Sequence, residues 1–242
     1  MVFDLQTLLL LGLVILAAAF VQGAAGFAFG MISMGLSVFI IDARTASIMM
    51  SPLAAANISI TLWSVRRDIH ARNIAPMIGG MLAGLPLGLA VLLGGSTGFI
   101  RISIAVLLLY VGISRLIGNG KKLRPLSRWW GLIAGLFGGI IGGATNIGGP
   151  PLIAYAARQP WPPAVFKATL LACFLVITAG KTTILLVEGS LDAPLITAVI
   201  TLLPAIVVGS TAGIAVFNRV DGQMFGTAVS YLVIALGVLL LF

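Results

Sequence analysis

The ten residues Gly142-Gly143-Ala144-Thr145-Asn146-Ile147-Gly148-Gly149-Pro150-Pro151 constrain the fold more than any other stretch, and a weaker copy, Gln22-Gly23-Ala24-Ala25-Gly26-Phe27-Ala28-Phe29-Gly30, lies near the start. Neither can be helical throughout, because glycine costs about 1 kcal/mol per residue in a helix and each proline removes an amide donor. Both stretches interrupt a chain that is 60% hydrophobic and only 8% charged, with mean hydropathy +1.18. Such a composition belongs in lipid. There, freed N–H and C=O groups survive only where protein covers them or where they line a cavity. Two breaks in corresponding positions are the pattern expected where a membrane transporter holds its substrate.

The length excludes several classes. A spanning helix uses about 20 apolar residues, so ten segments consume about 200 of the 242 residues and leave no room for a soluble catalytic domain. The net charge of +8 is explained by basic cytoplasmic loops rather than by nucleic acid. Cys173 is the single cysteine and His70 the single histidine, which excludes an intrachain disulfide and a Cys/His metal site. No nucleophile–base pair is evident, so the chain reads as no enzyme, with no cofactor. Ala17-Ala18-Ala19 resembles a cleavage site, but the preceding residues carry Asp4 and no Lys or Arg. The N-terminus is therefore expected to be part of the structure.

The fold class expected is an all-α polytopic membrane protein built from two inverted repeats of about five segments each. The first half contains about Leu5 to Val21, Phe27 to Ile41, Thr45 to Val65, Asn73 to Leu93 and Phe99 to Ile117. The second contains Trp129 to Ala144, Gly148 to Ala157, Val165 to Val187, Ala193 to Phe217 and Gly222 to Phe242. Gly148 to Ala157 is too short to span. We expect it to pair with its predecessor as a re-entrant hairpin or broken helix, giving eight full spans and two hairpins. Residues 1–118 form the first repeat, 119–128 a basic cytoplasmic linker and 129–242 the second repeat. Gly84, Gly88 and Gly112 match Gly209, Gly213 and Gly237 at one constant offset of 125 (209−84, 213−88 and 237−112), as duplication requires. The four-residue spacing of Gly131, Gly135, Gly139 and Gly143 reads as a packing ridge.

Charge sets the orientation. Arg66, Arg67 and Arg72, and Arg115, Lys121, Lys122, Arg124 and Arg128, mark two cytoplasmic regions, whereas Glu188 to Asp192 is an acidic outside turn. Eleven of the 14 basic residues then lie inside, with Arg44, Arg101 and Lys181 on the other side. Thr45 to Val65 runs inward while Val165 to Val187 runs outward, so the repeats are inverted. Both termini are expected in the periplasm of a bacterial inner membrane.

The candidate substrate-binding residues cluster at the breaks. Thr145 and Asn146 sit at the tip of the second, beside Gly148 and Gly149, where a starting helix offers free donors and about half a positive charge. Asn146 could instead serve only as a cap. Gln22, Gly23, Gly26 and Gly30 are their counterparts in the first break. Lys181 lies in the apolar run Leu170 to Val187, and a charge at mid-membrane costs about 2.5–3.5 kcal/mol. It either neutralises a substrate or snorkels toward Glu188. Asn57, with Ser51 and Pro52 nearby, is the polar feature of the matching segment, with interhelical bonding as its plainer reading. The acids Asp4, Asp42, Asp68, Glu188, Asp192 and Asp221 all fall in loops or at segment ends. That pattern argues against a cation site and suits an anion.

A glycine-rich break early in each half, the polar runs Ala43 to Ser47 and Lys167 to Thr169, and glycine-spaced later helices together resemble the TauE/SafE family of bacterial sulfite and organosulfonate exporters. The likeness covers nearly the whole chain. The family's usual Gly-Gly-Gly cluster is reduced here to Gly26 and Gly30 in the first half, and Thr145 and Asn146 precede Gly148-Gly149 in the second. The resemblance implies transport of a small sulfur oxyanion, sulfite or a sulfonate, in the outward direction; the residues alone imply an anion. An anion channel and a non-transporting membrane partner protein remain as alternatives, and a homo-oligomer is compatible with either.

Overall fold

The computed structural model describes residues 3–26, 28–117, 125–217 and 222–241. Lys121, Lys122 and Arg124 of the expected basic linker, and Arg219 and Asp221, lie outside the described residues. All regular structure among the described residues is helical. The order is α1 (Leu5–Ala25), α2 (Phe29–Ser37), α3 (Ala43–Val65), a single 3₁₀ turn (Arg66–Asp68), α4 (Ala71–Gly94) and α5 (Thr97–Ile117). The second half follows with α6 (Arg128–Thr145), α7 (Gly149–Ala156), α8 (Pro163–Val187), α9 (Ala193–Phe217) and α10 (Gly222–Leu239).

Among the described residues six helices, α1, α3, α4, α5, α8 and α9, are long and apolar enough to cross a membrane. At 1.5 Å per residue, the 9-residue α2 and 8-residue α7 cannot. Polar residues close the ends. Asp4 accepts from the Thr7 N–H, Asp42 from the N–H groups of Arg44 and Thr45, and Asp192 from Leu195, each at 3.0 Å. These carboxylates satisfy orphan donors at helix starts, so they lie at the ends of the spans rather than within them.

Glycine decides which helices touch. Without a hydrophobic drive between helices in lipid, association depends on close backbone approach. A Cβ on Gly84 or Gly88 would run into the carbonyls of Leu136 and Ile140, and one on Gly135 into that of Met77. The residue numbers rise together, so α4 and α6 pack in parallel. In the same way Gly209 faces Leu16 and Gly213 faces Phe20, making α1 and α9 parallel. The third pairing is reciprocal: Gly112 abuts Ser230 and Ile234, while Gly237 abuts Ala105 and Leu109. Here the numbers run in opposite directions, so α5 and α10 are antiparallel.

The short helix α7 folds back along α6. Gly131 meets Tyr155, Gly138 meets Leu152 and Gly142 meets Gly148, an antiparallel hairpin whose tightest point is Gly148, where a Cβ would run into the Gly138 carbonyl. The arrangement matches the hairpin form of the expectation for this segment.

Candidate functional site

The second break ends α6 at Asn146, whose backbone is left-handed (φ 61°) and whose N–H returns to the Gly142 carbonyl at 2.9 Å. Asparagine accepts this conformation at lower cost than most residues. The turn frees its side chain to reach α3 and α8. Nδ2 donates to the Ser47 carbonyl at 2.7 Å, and Oδ1 accepts from Lys181 Nζ and from Ser51 Oγ, each at 3.1 Å. The amide orientation follows from its partners, because an ammonium only donates and a carbonyl only accepts.

Lys181 is fully buried (0% exposed). Its Nζ donates to Ser47 Oγ at 2.7 Å as well as to Asn146, and Ser47 Oγ in turn donates to the Ala144 carbonyl at 3.0 Å. No carboxylate among the described residues pairs with the amine. The snorkelling alternative is therefore not the observed conformation: the amine turns inward, toward the break, and away from Glu188. A buried charge that meets only neutral oxygens is costly to keep.

The first break is closed by different chemistry. Gly26 (φ 81°) returns its N–H to the Gln22 carbonyl at 2.7 Å, and Gln22 Oε1 accepts from the Phe29 N–H at 2.9 Å. Ala28, at φ 103°, holds a conformation that costs a residue with a Cβ about 1–2 kcal/mol. A Cβ on Gly26 would lie 2.8 Å from Lys167 Cε, so the aliphatic stem of Lys167 covers this tip. The two breaks meet each other: Gly30 faces the backbone carbonyl of Asn146 with no room for a Cβ between them.

A cavity of about 60 Å³ lies between the breaks. Gln22, Phe29 and Gly30 reach it from the first, and Asn146, Gly148 and Gly149 from the second. The α7 terminus offers fewer donors than a typical helix start, because Pro150 and Pro151 occupy its second and third positions and have no N–H. The Ile147 N–H is taken by Thr145 Oγ1 at 3.2 Å. No hydrogen bond among the described residues uses the N–H groups of Gly148 and Gly149. Both glycines line the cavity, and the Lys181 amine stands one hydrogen bond behind Asn146. That combination can hold an anion.

Of the residues singled out in the sequence, Gln22, Gly30, Asn146, Gly148 and Gly149 line the cavity. Lys181 and Thr145 stand behind them. Gly26 lies under Lys167. Gly23 and Asn57 are at the junction with α9: a Cβ on Gly23 would sit 2.6 Å from the Ser210 carbonyl, and Ser210 Oγ donates to Asn57 Oδ1 at 2.5 Å. Asn57 thus makes an interhelical bond, while its buried Nδ2 has no partner among the described residues. Ser47 and Ser51 were not singled out as site residues. Their four-residue spacing places both hydroxyls on one face of α3, the available signal in an otherwise apolar helix.

Comparison with known proteins gives a consistent result. The profile of the family described as "Sulfite exporter TauE/SafE" matches residues 11–240. A curated protein of Cupriavidus necator named "Probable sulfite/organosulfonate exporter TauE" is 29% identical over 206 residues, covering 81% of this chain and 79% of that protein. No solved structure matches the chain.

Proposed function

The chain belongs to the TauE/SafE sulfite exporter family, a family of multi-pass membrane transporters rather than enzymes, and from that premise we propose that it exports a small sulfur oxyanion, sulfite or an organosulfonate, by alternating access between two inverted repeats. The observation that carries the anionic part of this reading is the fully buried, carboxylate-free Lys181 bonded to Asn146 at 3.1 Å beside a cavity lined by Gly148 and Gly149, whose N–H groups no hydrogen bond among the described residues uses. Sulfur comes from the family and from the name of the Cupriavidus relative.

The substrate's oxygens take the N–H groups of Gly148 and Gly149, while Lys181, held by Ser47 and Asn146, supplies the compensating charge. Partial charges alone do not offset the desolvation of a small anion. Asn146 shapes the tip and orients the amine, and Gln22 closes the opposite wall.

The inverted-repeat reading is supported by helix directions. If α1–α5 and α6–α10 were related by an axis along the membrane normal, the self-paired helices α5 and α10 would run parallel; they run antiparallel, with Gly112 and Gly237 in reciprocal contacts. The parallel α4/α6 contact maps onto the parallel α9/α1 contact in the same scheme. Where the two tips touch, at Gly30 and Asn146, rocking of one half against the other opens the cavity to one side and closes it to the other. The charge pattern supports both termini lying in the periplasm of the inner membrane.

The test is reconstitution into liposomes with labelled sulfite, sulfonates, sulfate and thiosulfate. Saturable sulfite flux stimulated by substrate on the opposite side supports the exporter. Non-saturating flux without such stimulation identifies a channel, and no flux of any anion identifies a non-transporting partner protein.

A further inference from the structure

The cavity has two kinds of wall. Its polar end is the second break, with Asn146 and the N–H groups of Gly148 and Gly149. Apart from Gln22 and Thr178 the remainder is apolar, contributed chiefly by Phe29, Ile153, Phe174 and Ile177, and no Asp, Glu, Lys, Arg or His lines it. Its volume is about 60 Å³. This exceeds the space that a single water needs, so the cavity has room for a small polyatomic anion.

We propose that this cavity is a selective site for sulfite and for sulfonates bearing a short, uncharged alkyl tail, and that it rejects aminosulfonates. The proposal rests on the exporter reading above and specifies its substrate class. The head binds at the glycine tip, and the tail lies against Phe174 and Ile153, which flank Gly149: a Cβ placed there would be 3.3 Å from Phe174 and 3.5 Å from Ile153. An ammonium on the tail would be stripped of water at that apolar wall with no carboxylate to receive it. Burial of a charge without a partner is disfavoured far more strongly than the loss of a methylene contact.

The geometry also separates two roles. Head contacts are shared by every substrate, whereas Phe174 and Ile153 act only on those with a tail. Phe174 is therefore a specificity residue. Replacing it by alanine removes tail contacts without touching the N–H donors of Gly148 and Gly149.

The experiment measures competition by sulfite, ethanesulfonate and 2-aminoethanesulfonate against labelled sulfite in proteoliposomes, for wild type and for Phe174→Ala. In wild type, sulfite and ethanesulfonate compete at similar concentrations, and 2-aminoethanesulfonate requires at least about tenfold more, the discrimination available when a buried group is left unpaired. In Phe174→Ala, ethanesulfonate weakens about tenfold relative to sulfite. If wild type transports sulfite but takes 2-aminoethanesulfonate as readily as ethanesulfonate, the selectivity proposal is overturned and the exporter reading stands. If no sulfur oxyanion is transported at all, the exporter reading itself fails. The wild-type series decides the question even if the variant does not fold.

Discussion

Replacing Lys181 with methionine, an unbranched side chain of similar length, should move stability and binding in opposite directions. Its amine donates to Ser47 Oγ and Asn146 Oδ1, yet neither oxygen is orphaned when it goes. Ser47 Oγ still donates to the Ala144 carbonyl, and Asn146 Oδ1 still accepts from Ser51. The change therefore removes a buried amine without creating an unsatisfied polar atom, so stability should hold or rise. Binding should suffer. An anion one hydrogen-bonded group beyond Nζ lies about 6 Å away, where an effective dielectric of about 20 gives an attraction of about 3 kcal/mol. That corresponds to about a hundredfold in Kd. Purified wild type, Lys181→Met and Lys181→Arg are compared by thermal unfolding and by sulfite titration at two salt concentrations. Lys181→Met should unfold at the same or a higher temperature and bind about a hundredfold more weakly. Lys181→Arg should keep part of the affinity, since charge is retained in altered geometry. Wild-type affinity in Lys181→Met at both salt concentrations would refute the reasoning, and a large drop in its unfolding temperature would show the lysine to be structural instead.

Three further outcomes follow from the same contacts. Asn146→Gly and Asn146→Ala should both abolish most flux by removing the carboxamide, but only alanine should also lose about 1–2 kcal/mol of stability at a left-handed position; Asn57→Ala, away from the cavity wall, should reduce flux less than either, as uptake assays on matched amounts of inserted protein will measure. Gly30→Ala should prevent the two breaks from meeting and eliminate transport, whereas Gly79→Ala, where a Cβ meets nothing within 4 Å, should leave flux and folding intact in the same assay. In a Cys173→Ser background, single cysteines beside Arg67 and Glu188 should react with an impermeant reagent from opposite sides of the membrane, and labelling from one side alone would defeat the inverted arrangement.

The breaks, the segment boundaries and the glycine packing ridges were legible in the sequence because each follows from local rules. Glycine and proline mark where a helix stops, and four-residue glycine spacing marks a face that another backbone can approach. The hydrogen-bonded cluster was legible only in part. Lys181 and Ser47 are 134 residues apart, and Asn146 and Ser47 are 99 apart; no local pattern tells which helices meet. The choice between a snorkelling and an inward lysine depends on which face of α8 turns toward α3, and that is fixed by tertiary packing. The anion-binding expectation for the second break also changes in detail. A generic helix start would offer four donors, but Pro150 and Pro151 remove two, leaving those of Gly148 and Gly149. The prolines were visible, yet their exact positions in the first turn required the helix start to be located.

The seam between α5 and α10 has a consequence for assembly. Its contacts are self-complementary: Gly112 sits on Ser230 and Ile234 as Gly237 sits on Ala105 and Leu109, with each contact shifted by 125 residues from its mate. Such a surface has the symmetry of an isologous dimer interface, although both sides belong to one polypeptide. Cutting the chain between α5 and α6 would leave two fragments that each carry a matching half of that interface. The covalent connection then serves mainly to raise local concentration, and separately expressed halves should reassemble in the bilayer through this seam.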